Sequence, residues 1–184
     1  MGIAYLEFGC RLTIGLVFLI SSAGKVGSPA RFADFRSEIA AMRVVPAGLT
    51  RAAAASVCIV EIAVVGLLVS GFTAVVGFVV GSALLAVFSA AILRTVRSGV
   101  GARCHCFGFR SGRLGIRHLY RNGFLMAVCA AGVLAATAGP DRTPAWVDLL
   151  PVTLLALVAV ALLVFMDDLV DLRRVDATPG RGRF

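Results

Sequence analysis

The sequence predicts an all-α fold, a polytopic membrane bundle of about five transmembrane helices (a four-helix core plus one more) with an amphipathic helix in the first loop. Three observations carry this reading. Hydrophobic residues make up 59% of the 184-residue chain and the mean hydropathy is +0.95, the composition of a protein whose solvent is lipid. Long apolar runs are almost free of charge: the 42 residues between Arg51 and Arg94 contain only Glu61. The remaining charges gather in short segments between those runs.

A first span covers residues 3–24, with Glu7 and Arg11 at i and i+4, a spacing that pairs them on one helix face. It is read as a span and not a cleaved leader, because a basic n-region is missing and the Glu7 and Arg11 pair interrupts the apolar run. Ser28 followed by Pro29 reads as an N-cap and first helical position. Phe32, Phe35, Ile39 and Met42 then recur at helical spacing, with Arg31, Asp34, Arg36 and Glu38 between them. This is an amphipathic helix that lies on the membrane or caps the bundle and ends before Pro46. Residues 52–93 are twice the roughly 20 a helix needs to cross a bilayer, so they form two spans that reverse at Ser70-Gly71. A fourth, charge-free span covers 122–140, and a fifth covers 146–166 with Trp146 as an interfacial aromatic. One transmembrane domain over 1–168 is thus followed by a basic tail over 169–184 with the composition of a disordered end.

Five spans put alternate loops on opposite sides of the membrane. The first loop, the segment from Arg94 to Arg121 and the tail together hold 16 of the 18 basic residues, leaving Arg11 and Arg142. The charge rule therefore places the N-terminus outside and the C-terminus inside, with the segment around Cys104 at the cytoplasmic face of the cell membrane. Anionic lipid accounts for the net charge of +8 without any nucleic-acid partner; the lipid bilayer is the first partner the composition implies.

Chemistry concentrates in Cys104-His105-Cys106-Phe107-Gly108, a polar segment in a chain that is otherwise mostly hydrocarbon. Thiols at i and i+2 of an extended chain face the same way, but their Cα atoms sit near the upper limit for a disulfide, so a bridge needs a bent backbone. Strained, exposed disulfides are the oxidising and catalytic ones. Arg103 and Arg110 favour the attacking thiolate, and His105 between the thiols is placed to shuttle a proton. The same donors support a second reading, in which Cys104, Cys106, His105 and His118 bind a soft metal ion. Elsewhere, Glu61 lies roughly ten residues into its span, and a membrane-buried carboxylate is costly unless paired or protonated. Arg11 and Lys25 are its candidate partners, and Cys58 shares its helix face. Packing is the default role for Cys10, Cys58 and Cys129.

Taken in order, the span ending at Ala23-Gly24-Lys25, the Phe-containing loop ending in Val45-Pro46, the glutamate in the second span, Cys-x-Cys-Phe-Gly at 104–108 and Arg121-Asn122 opening the next span resemble the MauE family of methylamine-utilisation membrane proteins, within the broader DoxX-like group. The likeness covers roughly residues 3 to 138. It implies a redox-associated membrane protein that works beside a thioredoxin-like partner and supports disulfide formation or isomerisation in exported proteins. As an enzyme it is then a thiol–disulfide oxidoreductase. No cofactor motif is evident, and a membrane quinone held between helices is the electron carrier the chemistry asks for. Metal transport through the Cys-His-Cys segment and a non-catalytic assembly scaffold are the alternatives. A protein that oxidises exported thiols should show its cysteines outside, whereas the arginine asymmetry puts them inside; the asymmetry decides the expected topology.

Overall fold

The computed structural model describes residues 2–97, 103–104, 112–113, 116–138 and 149–176, which form six α-helices and one short strand pair. Helix α1 (Gly2–Val26) ends with Lys25 in its last turn, where the helix dipole favours a cation. Helix α2 (Pro29–Ala41) starts as expected: Ser28 is extended, its Oγ accepts a bond from the Arg31 amide at 3.3 Å, and Pro29 occupies the first turn. It stops where the Met42 and Arg43 amides bond back to Glu38 and Ala40 and Arg43 takes φ 52°, a left-handed conformation that ends a helix.

Helices α3 (Thr50–Val69) and α4 (Ala74–Arg97) are joined by Ser70 and a single 3₁₀ turn, Gly71–Thr73, at the reversal the sequence indicates. The free carbonyls at the end of α3 find donors. Arg11 Nε and Nη2 bond Leu68 O at 2.8 Å and Val69 O at 2.6 Å, and Thr73 Oγ1 bonds Leu67 O at 2.6 Å. In lipid no water is at hand to satisfy such groups, so these bonds let the chain reverse there.

Helix α5 (Ile116–Ala138) begins about two turns before the expected start of the fourth span. The expectation rested on the last charge before the run, but Arg121 lies inside the helix and is only 6% exposed, so a charge did not mark the boundary. Helix α6 (Leu149–Asp176) continues past residue 168, so the expected domain limit falls within a helix; Trp146 and residues 177–184 lie outside the described residues. Two-residue strands β1 (Arg103–Cys104) and β2 (Gly112–Arg113) pair antiparallel, with Cys104 opposite Gly112, and β1 sits beside α2.

Helices α1, α3, α4 and α5 close a ring in which each packs on two neighbours, α6 leans on α1 from outside, and α2 covers α3 and α1. Among the described residues four helices are long and apolar enough to cross a membrane, and Leu149–Val164 is a shorter apolar stretch of α6. Ile14, Phe18, Val64, Phe78, Leu125 and Cys129 fill the ring, while large apolar side chains such as Ile59, Val87 and Leu134 face outward, as lipid permits. Without a hydrophobic drive between helices in lipid, close van der Waals fit holds the bundle. Gly132 of α5 provides that fit: a Cβ there would stand 2.4 Å from the Phe78 ring of α4, which is fully buried.

Gly132→Ala should therefore destabilise the bundle by about 1–3 kcal/mol, the usual cost of overpacking. Gly66→Ala, where an added Cβ meets nothing within 4 Å, should not. Thermal unfolding of both variants in detergent checks this; equal midpoints would show that the α4–α5 contact relaxes freely.

Candidate functional site

Glu61 lies eleven residues into α3, about 17 Å along its axis, and is 1% exposed. Lys25, 3% exposed, reaches it from α1, and its Nζ bonds Glu61 Oε1. Ser21, one turn earlier on α1, completes a triangle: its hydroxyl donates to Glu61 Oε1 at 3.0 Å and accepts from Lys25 Nζ at 3.0 Å. The ammonium also lies 4.7 Å from the ring centroid of Phe35 on α2 and 5.4 Å from that of Phe88 on α4, two cation–π contacts in a desolvated place. One lysine thus joins four helices.

The second carboxylate oxygen is arranged differently. Glu61 Oε2 is buried and makes no hydrogen bond among the described residues. Glu61 lines a cavity of about 40 Å³ together with Ser21, Lys25, Phe18, Leu85 and Leu125. Helix α5 adds the polar wall of this cavity with His118, Arg121 and Asn122. Asn122 is tied across to α4 through Ser89 Oγ at 3.2 Å, which in turn bonds Leu85 O at 2.8 Å.

Of the two cations considered for Glu61, Lys25 makes the pair. Arg11 stays at the opposite end of α3, bonded to its last carbonyls and 3.7 Å from Glu7. The cause is distance: Val69 is eight residues beyond Glu61, about 12 Å along the helix. Cys58 is buried one turn before Glu61, in an apolar cluster with Phe35, Ile39 and Ala54. Cys10 and Cys129 are buried in the ring, and all three are free thiols. Arg121 and Asn122 are buried and line the cavity. The backbone of Cys104 is in β1; its side chain, His105 and Cys106 lie outside the described residues. Among the described residues no three His, Cys, Asp or Glu side chains gather to hold a metal.

Sequence reasoning missed Ser21, Phe35 and Phe88 as companions of Lys25. Ser21 carried a signal, standing four residues before Lys25 on one face; Phe88 carried none, because its role depends on how α4 packs. Glu38, expected on the polar face of α2, is 5% exposed instead, because α2 covers α3 rather than lying in water.

A double-mutant cycle in thermal or denaturant unfolding should show Glu61→Gln and Lys25→Met coupled by about 0.5–3 kcal/mol, as groups in direct contact are. Glu61→Gln and Arg11→Met should add to within about 0.5 kcal/mol. Equal coupling to both cations would contradict the geometry.

The family model described as "Methylamine utilisation protein MauE" matches residues 3–135, nearly all of the ring and the covering helix α2. Comparison with curated proteins and with solved structures gives no match.

Proposed function

The chain belongs to the MauE family of methylamine-utilisation membrane proteins, and on that premise we propose that it is a multi-pass membrane protein of thiol–disulfide exchange that supports maturation of exported proteins. Cys104 and Cys106 are the exchanging pair, His105 between them handles the proton, and a thioredoxin-like protein is the partner. The observation that carries the reading is the placement of the Cys104 strand. It sits beside α2, the helix whose Phe35 covers the buried Lys25 and Glu61 pair, so the backbone of Cys104 and that pair are neighbours of one helix. In the oxidising direction two thiols release two electrons and two protons as one disulfide forms. A lipid-soluble quinone, which takes up two of each to become a quinol, is the acceptor that balances the step.

Exchange proceeds by attack of one thiolate on the partner disulfide and resolution of the mixed disulfide by the second thiol. One of Cys104→Ser and Cys106→Ser should therefore accumulate a reducible adduct with a thioredoxin-like protein, whereas the other and the double variant should not. Non-reducing electrophoresis with mass spectrometry reads this. If neither variant traps a protein and both lose a stoichiometric soft metal ion, the thiol-exchange reading falls and metal binding replaces it.

The arginine asymmetry assigns this segment to the cytoplasmic face. In intact cells a membrane-impermeant maleimide should leave Cys104 and Cys106 unlabelled until the membrane is permeabilised; the other three cysteines are buried and do not compete. Labelling before permeabilisation would place the segment outside.

A further inference from the structure

We infer that Glu61 is a reversible proton-binding site inside the membrane, fed by water in the cavity it lines. The two oxygens of the carboxylate do separate work. Oε1 takes both bonds that hold the group in place, from Lys25 and Ser21, while Oε2 is buried, lacks a hydrogen bond among the described residues and belongs to a group on the cavity wall. A proton can settle on Oε2 without breaking either bond, since Oε1 of a carboxylic acid still accepts them. A cavity of about 40 Å³, mostly apolar but with Ser21, Lys25, His118, Arg121 and Asn122 in its lining, has room for about one to three water molecules. Its wall also includes Ile92 near the end of α4 and His118 near the start of α5, so it runs from Glu61 toward the end of the bundle where those helices meet.

Protonating Glu61 leaves Lys25 as a buried cation without a carboxylate. The two rings answer this, because Phe35 and Phe88 hold the ammonium by their quadrupoles whether or not Glu61 is charged. The charged and titratable groups around Glu61 are Lys25 from α1, Cys58 on α3 itself, and His118 and Arg121 from α5; α2 adds the buried Glu38, and α4 lines the site with apolar side chains. The exchange is simple in balance: a hydronium in the cavity gives its proton to the carboxylate and becomes water. A coupling of this site to thiol oxidation, which releases protons, rests on the function proposed above; the proton site itself stands on geometry alone.

Infrared difference spectroscopy of the full chain in lipid vesicles, recorded against pH, tests it. The wild type should show a carboxylic-acid carbonyl band that grows as pH falls, shifts in heavy water and disappears in Glu61→Gln. The absence of any Glu61-dependent band over the whole pH range in which the protein stays folded would establish a locked ion pair and overturn the inference. If Glu61→Gln fails to accumulate, glutamate labelled with ¹³C identifies the band, and Lys25→Met decides. Removing the ammonium takes away the charge that favours the carboxylate, so protonation becomes easier and the midpoint should move up. An unmoved midpoint counts against the proposal. In the Cys104→Ser and Cys106→Ser double variant the band should persist, so loss of thiol exchange and loss of the proton site are read separately.

Discussion

A carboxylate carried about 17 Å into a membrane helix must be neutralised, and the way Glu61 meets Lys25 organises the rest of the bundle. The bond runs from α3 to α1, Phe35 brings α2 down over the ammonium, Phe88 brings in α4, and α5 closes the remaining side of the cavity. Helix α6 takes no part and touches the ring through α1. Because burying two charges costs much of what their attraction returns, such a pair is better understood as fixing register than as adding stability. Only one axial and rotational setting of α1 against α3 brings Lys25, Ser21 and Glu61 together.

Away from that pair the bundle obeys the rules of a lipid solvent. Apolar side chains gain little by facing one another instead of acyl chains, so contacts between helices depend on surfaces that fit, as Phe78 fits the space left by Gly132. Helix ends matter more than in water. At the reversal between α3 and α4 three consecutive carbonyls, those of Leu67, Leu68 and Val69, are each bonded by Thr73 or Arg11. Arg11, a cation inside an apolar span, is thus explained by the backbone dipoles it satisfies and by Glu7 one turn away.

Much of this was legible in the sequence, and the reasons differ by element. The Ser28-Pro29 start of α2 and the Ser70-Gly71 reversal were readable because capping and turn chemistry are local. The five apolar runs were readable because a bilayer imposes a length. The start of α5 was not, since charge was used as the boundary and Arg121 is buried within the helix instead. Glu61 announced itself as a charge in an uncharged run, but the choice of Lys25 over Arg11 depends on how far each cation lies along α1, and the Phe88 contact depends on packing that no periodicity encodes. Glu38 was misread because it lies with Phe35 and Ile39 on the buried face of α2, while Arg31, Asp34 and Arg36 stay on the exposed one.

The cysteines divide along the same line as the solvent. Cys10, Cys58 and Cys129 are packed among apolar side chains inside the helices, where neither a partner disulfide nor a thiolate-stabilising surface reaches them. Cys104 lies instead on the short strand beside α2, in the segment between α4 and α5. For the thiol exchange proposed above this segregation matters, since a third thiol within reach of the exchanging pair would divert the mixed disulfide into the bundle. The covering helix α2 then has two faces with two duties: one holds Phe35 over Lys25, and its neighbourhood holds the strand of Cys104. Any change that moves α2 therefore acts both on the ring over Lys25 and on the backbone of Cys104.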